Sequence, residues 1–210
     1  MSTLVFEDER GYADFVTFVG RARAVDPDGA MRLQAVGTVL AAHVGVLPGR
    51  GLLGEGTVTG MRAMALGEPS TVDAVVSLAG LTDRIARQEP GGVEAPVPPT
   101  TVTAVWASLA PQRGGWEPVG EVPGRELEQA ARAGIEEVAR GTGPTAGGPA
   151  VAQLRRAVWA RLTMTSPPVP AGAAFAAYAL GFLEPGGNAR VLAHGRWVRV
   201  ATRRGQVLVR

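Results

Sequence analysis

From Ala30 the chain alternates. Met31, Leu33 and Ala35 are apolar while Arg32 and Gln34 are polar, the period of a strand with one buried face. Past Gly37, and as far as Leu47, nearly every residue is apolar, as in a strand covered on both faces. A loop from Pro48 to Gly56 leads into a third apolar segment, Gly56 to Leu66. Gly67-Glu68-Pro69-Ser70 then turns the chain into a fourth, Val72 to Leu78. The pattern predicts a β-meander with strands over 30–36, 38–47, 56–66 and 72–78.

Helices flank it. Tyr12, Phe15, Val16 and Val19 fall on one stripe between Glu7 and Val25, with acids in the first turn and Arg21 and Arg23 near the end. Leu81 and Ile85 give a short helix up to Gln88. Residues 89–99 hold four prolines and read as a linker without regular structure. Thr100 to Leu109 alternates like a strand, residues 111–115 form a loop, and Trp116 to Val122 reads as a returning strand. Helices follow over 125–140 and 150–162, separated by a Gly- and Pro-rich stretch, 141–149, expected to be flexible. Ala171 to Leu183 carries no charge, so it belongs in a core or a subunit interface.

The tail is the most legible part. With His194-Gly195 and Arg204-Gly205 as two-residue turns, three strands pair in a meander. That register sets Leu192 against Trp197, Val191 against Val198, Ala201 against Leu208 and Val200 against Val209. One face then carries Val191, Val198, Val200, Val207 and Val209. The other carries Trp197, Arg203 and a cross-strand row of Arg190, Arg199 and Arg210. The fold class is α+β: an N-terminal helix on an antiparallel β-meander, then a helical segment closed by a three-stranded C-terminal meander. The domains expected are 1–88 and 100–210, joined by the linker or running on as one continuous domain.

Composition narrows the chemistry. All 21 basic residues are Arg, there is no Cys, and the net charge is only +2. Without cysteine there are no disulfides and no thiolate metal sites or nucleophiles. Without lysine there is no P-loop, and no G-x-S-x-G elbow occurs. The two histidines, His43 and His194, have no acid or histidine at ligand spacing, so no metal is expected. Neither long apolar run reaches the ~20 residues that span a bilayer, and the acidic start is no export signal. A cytoplasmic protein without membrane contact is the expectation.

The segments Ala30-Met31-Arg32-Leu33-Gln34-Ala35 and Pro111-Gln112-Arg113-Gly114-Gly115-Trp116-Glu117-Pro118 resemble a family of uncharacterised proteins from high-GC actinobacteria. The resemblance covers most of the chain and implies no activity and no site residues.

Two features remain as candidate chemistry. Gly49, Gly51 and Gly54 match G-x-G-x-x-G after an apolar strand, the start of a dinucleotide-binding turn, although β-branched Thr57-Val58-Thr59 opposes the helix that turn needs. The second feature is charge. Residues 1–137 hold 11 Arg and 18 acids, whereas 138–210 hold 10 Arg and the single acid Glu184. Three like charges abreast repel by up to ~1 kcal/mol per facing pair, so the arginine row favours an anionic partner. A winged-helix reading fails because 171–183 offers no polar group to a DNA groove beyond the Tyr178 hydroxyl.

The preferred reading is a non-catalytic adaptor that self-associates through apolar surfaces such as the 171–183 helix. Its basic third would contact an acidic protein surface through Arg190, Trp197, Arg199, Arg203 and Arg210. The alternatives left open are nucleic-acid binding by the same arginines and a nucleotide-binding enzyme using Gly49, Gly51 and Gly54. No cofactor is expected on the preferred reading.

Overall fold

The computed structural model describes residues 2–51, 53–89, 91–109, 114–142 and 147–210. The chain forms two compact units: Met1–Val46 with Thr59–Ala110, and Leu47–Val58 with Pro111–Arg210. Both mix helices with antiparallel strands, so the α+β class holds.

In unit 1, strand β1 (Thr3–Val5) leads to helix α1 (Glu9–Val25). The helix starts two residues past Glu7 because Asp8 serves as its N-cap: Gly11 N donates to Asp8 Oδ1 at 2.7 Å. Phe15, Phe18, Val19 and Ala22 are its buried stripe. Strands β2 (Ala30–Leu47), β3 (Val58–Ser70) and β4 (Asp73–Ser77) follow, with β2 between the other two. Ser77 caps helix α2 (Leu78–Ile85) by accepting from Gly80 N at 3.1 Å, which moves the helix three residues ahead of its expected start. The expected linker includes a strand, β5 (Glu94–Pro96), because this segment pairs with β1, Leu4 opposite Ala95.

The two strands expected around Gly37 are one, bent at that glycine. Gly37 takes φ +59°, a conformation that costs glycine little, and residues 36–39 are exposed instead of covered. A straight strand would hold Arg32 and Gly45 roughly 43 Å apart. Yet Arg32 Nη1 donates to Ala107 O at 3.1 Å, and the neighbouring Trp106 lies against Gly45. β2 therefore curves strongly around that segment.

The segment itself departs from the alternation of Thr100 to Leu109. It forms a 3-10 turn at Val105–Ser108, and among its described backbone groups only Val102 N meets a strand, donating to Val75 O at 2.9 Å. A strand needs a partner along its length; here the indole and the Arg32 bond decide the path instead.

Unit 2 has strand β6 (Glu117–Pro123), helices α3 (Gly124–Gly141), α4 (Gly148–Ala160) and α5 (Ala171–Ala179), and strands β7 (Asn188–His194), β8 (Trp197–Ala201) and β9 (Gln206–Val209). The strand order is β9-β8-β7-β6. Beyond β9 lies the tip 47–58: Gly56 N donates to Arg210 O at 2.6 Å and Arg210 N to Thr57 O at 3.1 Å. Within the stretch expected to be flexible, residues 143–146 lie outside those described, as do 111–113 of the preceding loop.

α5 settles the question its composition raised. Gly172, Ala173, Ala174, Ala176 and Ala177 are buried within the unit, along with Leu180 and Phe182. α3, α4 and β9 pack on it, so this helix is core and cannot serve as the self-association surface.

The meander register differs from the expected one by two. His194 pairs with Trp197, Leu192 with Arg199 and Val191 with Val200. Arg199 pairs in turn with Leu208, and Val198 with Val209. Each turn sits one residue away from its expected place. Gly195 is the first turn residue, with φ +55°, and Thr202 closes the second turn by donating N–H to Gly205 O at 2.9 Å. A slip of two preserves the faces. Val191, Val198, Val200, Val207 and Val209 therefore do share one side.

Candidate functional site

The other side of the unit 2 meander gathers Arg199, Arg210, Trp197 and His194, and β6 brings Trp116 beside them. Pairing of β6 with β7 sets Glu117 against Ala193, which leaves the preceding Trp116 near His194. Their ring centroids are 5.8 Å apart. His194 Nδ1 lies 2.7 Å from Gly115 O, and Gly115 has φ +77°, so this corner is fixed by backbone as well as rings.

The arginine row is not abreast. Arg190 faces Ala201 on one side and Glu121 on the other. Arg199 lies between Leu192 and Leu208. Each cation has its own environment, so the repulsion expected from facing like charges does not arise. The Arg199 guanidinium carbon is 3.9 Å from the Trp116 ring centre, and that of Arg210 is 5.4 Å from the Trp197 ring. Burial lowers the Arg199 pKa from its ordinary value. Nε of Arg199 and Nε of Arg210 are both buried without a hydrogen-bond partner. Arg190 and Arg203 are exposed, and Arg203 lies in the second turn, off this face.

Three other arginines of the basic third are already neutralised. Arg161 pairs with Glu137 at 2.9 Å, Arg204 with Glu184 at 2.8 Å and Arg196 with Glu55 at 3.4 Å. Unit 1 holds 7 Arg and 11 acids, unit 2 holds 14 Arg and 8 acids, leaving −4 and +6.

Gly49, Gly51 and Gly54 lie in the β2–β3 connection. Arg50 and Glu55 exchange backbone hydrogen bonds at 2.8 and 2.9 Å, and Gly51 and Gly54 take φ +60° and +63°. A side chain at Gly49 would collide with Thr57 Oγ1. The glycines close a hairpin tip that runs on into a strand. No helix opens on them, so the N–H cluster a pyrophosphate requires is not formed.

The remaining electrostatic cluster is in unit 1. Arg32 grips Asp73 through two bonds of 2.8 Å, and Gln34 Nε2 donates to Asp73 Oδ2 at 3.2 Å. The Arg32 bond holds the Asp73 carboxyl below its usual range. His43 is pushed down to about 4, first by burial and then by Arg32, with Asp73 opposing. Among the described residues no group of three or more His, Asp or Glu forms a metal site. Trp116, His194 and Glu121 are the face residues that sequence reasoning missed; the Trp116–Val122 strand was visible, but its neighbour was not.

The fold is similar to that of polymerase clamps. The chain aligns over its whole length with the crystal structure of the DNA polymerase III subunit beta from Pseudomonas aeruginosa, at TM-score 0.59 and 10% identity. A DNA polymerase sliding clamp from Pseudomonas aeruginosa with ligand aligns at TM-score 0.53 and 10% identity. In both cases this chain spans 64% of the other's length. At that identity the likeness is one of fold. By sequence the chain belongs to the family described as "Domain of unknown function (DUF8010)", whose model matches residues 1–108. A second model, "Domain of unknown function (DUF8185)", matches residues 111–210. No curated protein matches the chain.

Proposed function

We propose that the protein is a non-catalytic, self-associating binding module, with unit 2 taking an acidic protein surface on the face of Trp116, Trp197, Arg199 and Arg210. The observation that carries this is the pair of buried, unpartnered Nε atoms on arginines already held against tryptophan rings. An arginine desolvated before binding pays less on meeting a carboxylate, and Trp and Arg are the residues that dominate binding hot spots. The acidic surface is that of a second copy, whose unit 1 carries −4 against the +6 of unit 2. The reading is of a cytoplasmic protein: the chain has no cysteine, and no described helix is long and apolar enough to cross a membrane.

Light scattering on the eluting protein at low and high salt tests this. Oligomers at low salt that dissociate as salt rises, and that Arg199→Glu abolishes, are the expected result. A monomer under all conditions overturns it.

A second reading is favoured by one observation. Arg155, Arg156, Arg190 and Arg203 are exposed and have no ion-pair partner among the described residues, and the similar structures are a DNA polymerase III subunit beta and a DNA polymerase sliding clamp. Duplex DNA binding with a log–log salt slope near −0.9 per neutralised phosphate would move the assignment to nucleic acid.

A further inference from the structure

Residues 161–171 form a loop whose polarity is inverted. Thr163 and Thr165 are 8% and 9% exposed, while Leu162 and Met164 are 64% and 102% exposed. Water alone would favour the reverse, with the hydroxyls out and the larger apolar side chains in. The inner hydroxyls are satisfied. Their Oγ1 atoms lie 2.7 Å apart, Thr165 Oγ1 donates to Pro167 O at 2.8 Å, and Val169 N donates to Thr163 Oγ1 at 3.1 Å. Thr163 N to Val169 O at 2.8 Å and Ala171 N to Arg161 O at 2.7 Å close the base of the loop. The network holds Met164 out in water, so a partner that covers it has no loop to order.

The loop also touches the strand that follows Trp116. Pro167 lies 3.0 Å from where a Cβ on Gly120 of β6 would stand. Four residues of strand span roughly 13 Å, so the loop and the Trp116 corner lie along one strand of unit 2. The surroundings are basic: Arg155 and Arg156 are exposed on α4, and residues 138–183 contain no acid.

Unit 1 has a counterpart. Val36 and Val39 are 68% and 52% exposed on either side of the Gly37 bend in β2. Ala35 N donates to Val72 O at 2.7 Å, which brings the turn after exposed Glu68 beside that bend. Each unit thus displays an apolar projection, and the units carry opposite net charge, −4 and +6.

We propose, resting on the self-association reading, that the 161–171 loop of one copy docks on the 36–39 bend of a second. Association then runs head-to-tail, unit 2 on unit 1, with Met164 as the apolar anchor and the Trp116 face covered by the same neighbour.

Light scattering at low salt on wild type, Met164→Glu and Val36→Arg proteins tests this. Each new charge would meet its own sign across the contact, so each variant alone should associate at least about a hundredfold more weakly. Both positions are exposed, and the circular-dichroism spectra should match wild type. An equimolar mixture of the two variants should associate again, because one copy keeps its loop and the other its bend. A mixture that stays monomeric overturns the proposal, and so does a Met164→Glu protein that associates like wild type. If Arg199→Glu abolishes association while Met164→Glu does not, the loop's role falls and the self-association reading stands; a monomeric wild type removes both. Should Val36→Arg disturb the fold, Val39→Arg replaces it with the same outcomes expected.

Discussion

The guanidinium carbon of Arg199 stands 3.9 Å from the centre of the Trp116 ring, while its Nε, shut away from water, donates to nothing. A buried donor left unpaired costs about 1–3 kcal/mol, and stacking returns about 1 kcal/mol. Stability alone would favour an apolar side chain there. Arg199→Met should therefore leave the melting temperature unchanged or raise it, yet abolish salt-sensitive association. A fall of many degrees would show that the arginine serves the fold.

His43 gives a pH prediction. Its folded pKa of about 4 lies below the 6.5 of the unfolded chain, so between those values the unfolded state binds the proton more readily. Stability should fall as pH drops from 6.5 to 4, by an upper bound of about 3 kcal/mol, with no contribution above 6.5. His43→Gln should flatten that window in urea titrations. An unchanged slope would assign the dependence to other groups.

Asp73 titrates lower. Arg32 holds its carboxyl below the usual range, so its stabilisation is present above pH 4 and is lost beneath it. The pair is partly exposed, which limits the cost of Asp73→Asn to about 1 kcal/mol. Once acid has protonated the folded-state carboxyl, beneath the usual aspartate range, the variant and the wild type should converge in melting temperature.

Two helical glycines should respond oppositely to alanine. Gly20 in α1 has nothing within 4 Å of where a Cβ would stand, so Gly20→Ala should stabilise by about 0.5–1 kcal/mol. A Cβ on Gly134 in α3 would strike the Trp159 ring, and Gly134→Ala should cost about 1–3 kcal/mol. Chemical denaturation of both variants checks the contrast; equal effects would contradict the packing of α3 on α4.

Local pattern sufficed where neighbours in sequence are neighbours in space. The valine face of the C-terminal meander follows from alternation, which survives a register slip of two. Which arginines stand abreast does not, because moving each turn by one residue breaks the row. Trp106 shows a second limit. Its segment alternates as well as any strand, but the glycine it rests on is 61 residues earlier in the chain. The helix at 171–179 was legible as buried, though not what buried it, since α3 and β9 come from either side of it in sequence.

The hairpin tip 47–58 lies within the first family's segment yet folds as part of the second unit. Residues 111–210 cut out alone would leave β9 with an open edge at Arg210, and Gly172 without the Leu47 and Val58 side chains that cover it. The two segments are thus heirs to a single estate. A recombination event at residues 109–110 would give each descendant an incomplete fold, so the halves can be exchanged between relatives only if the tip and the strand it meets change together.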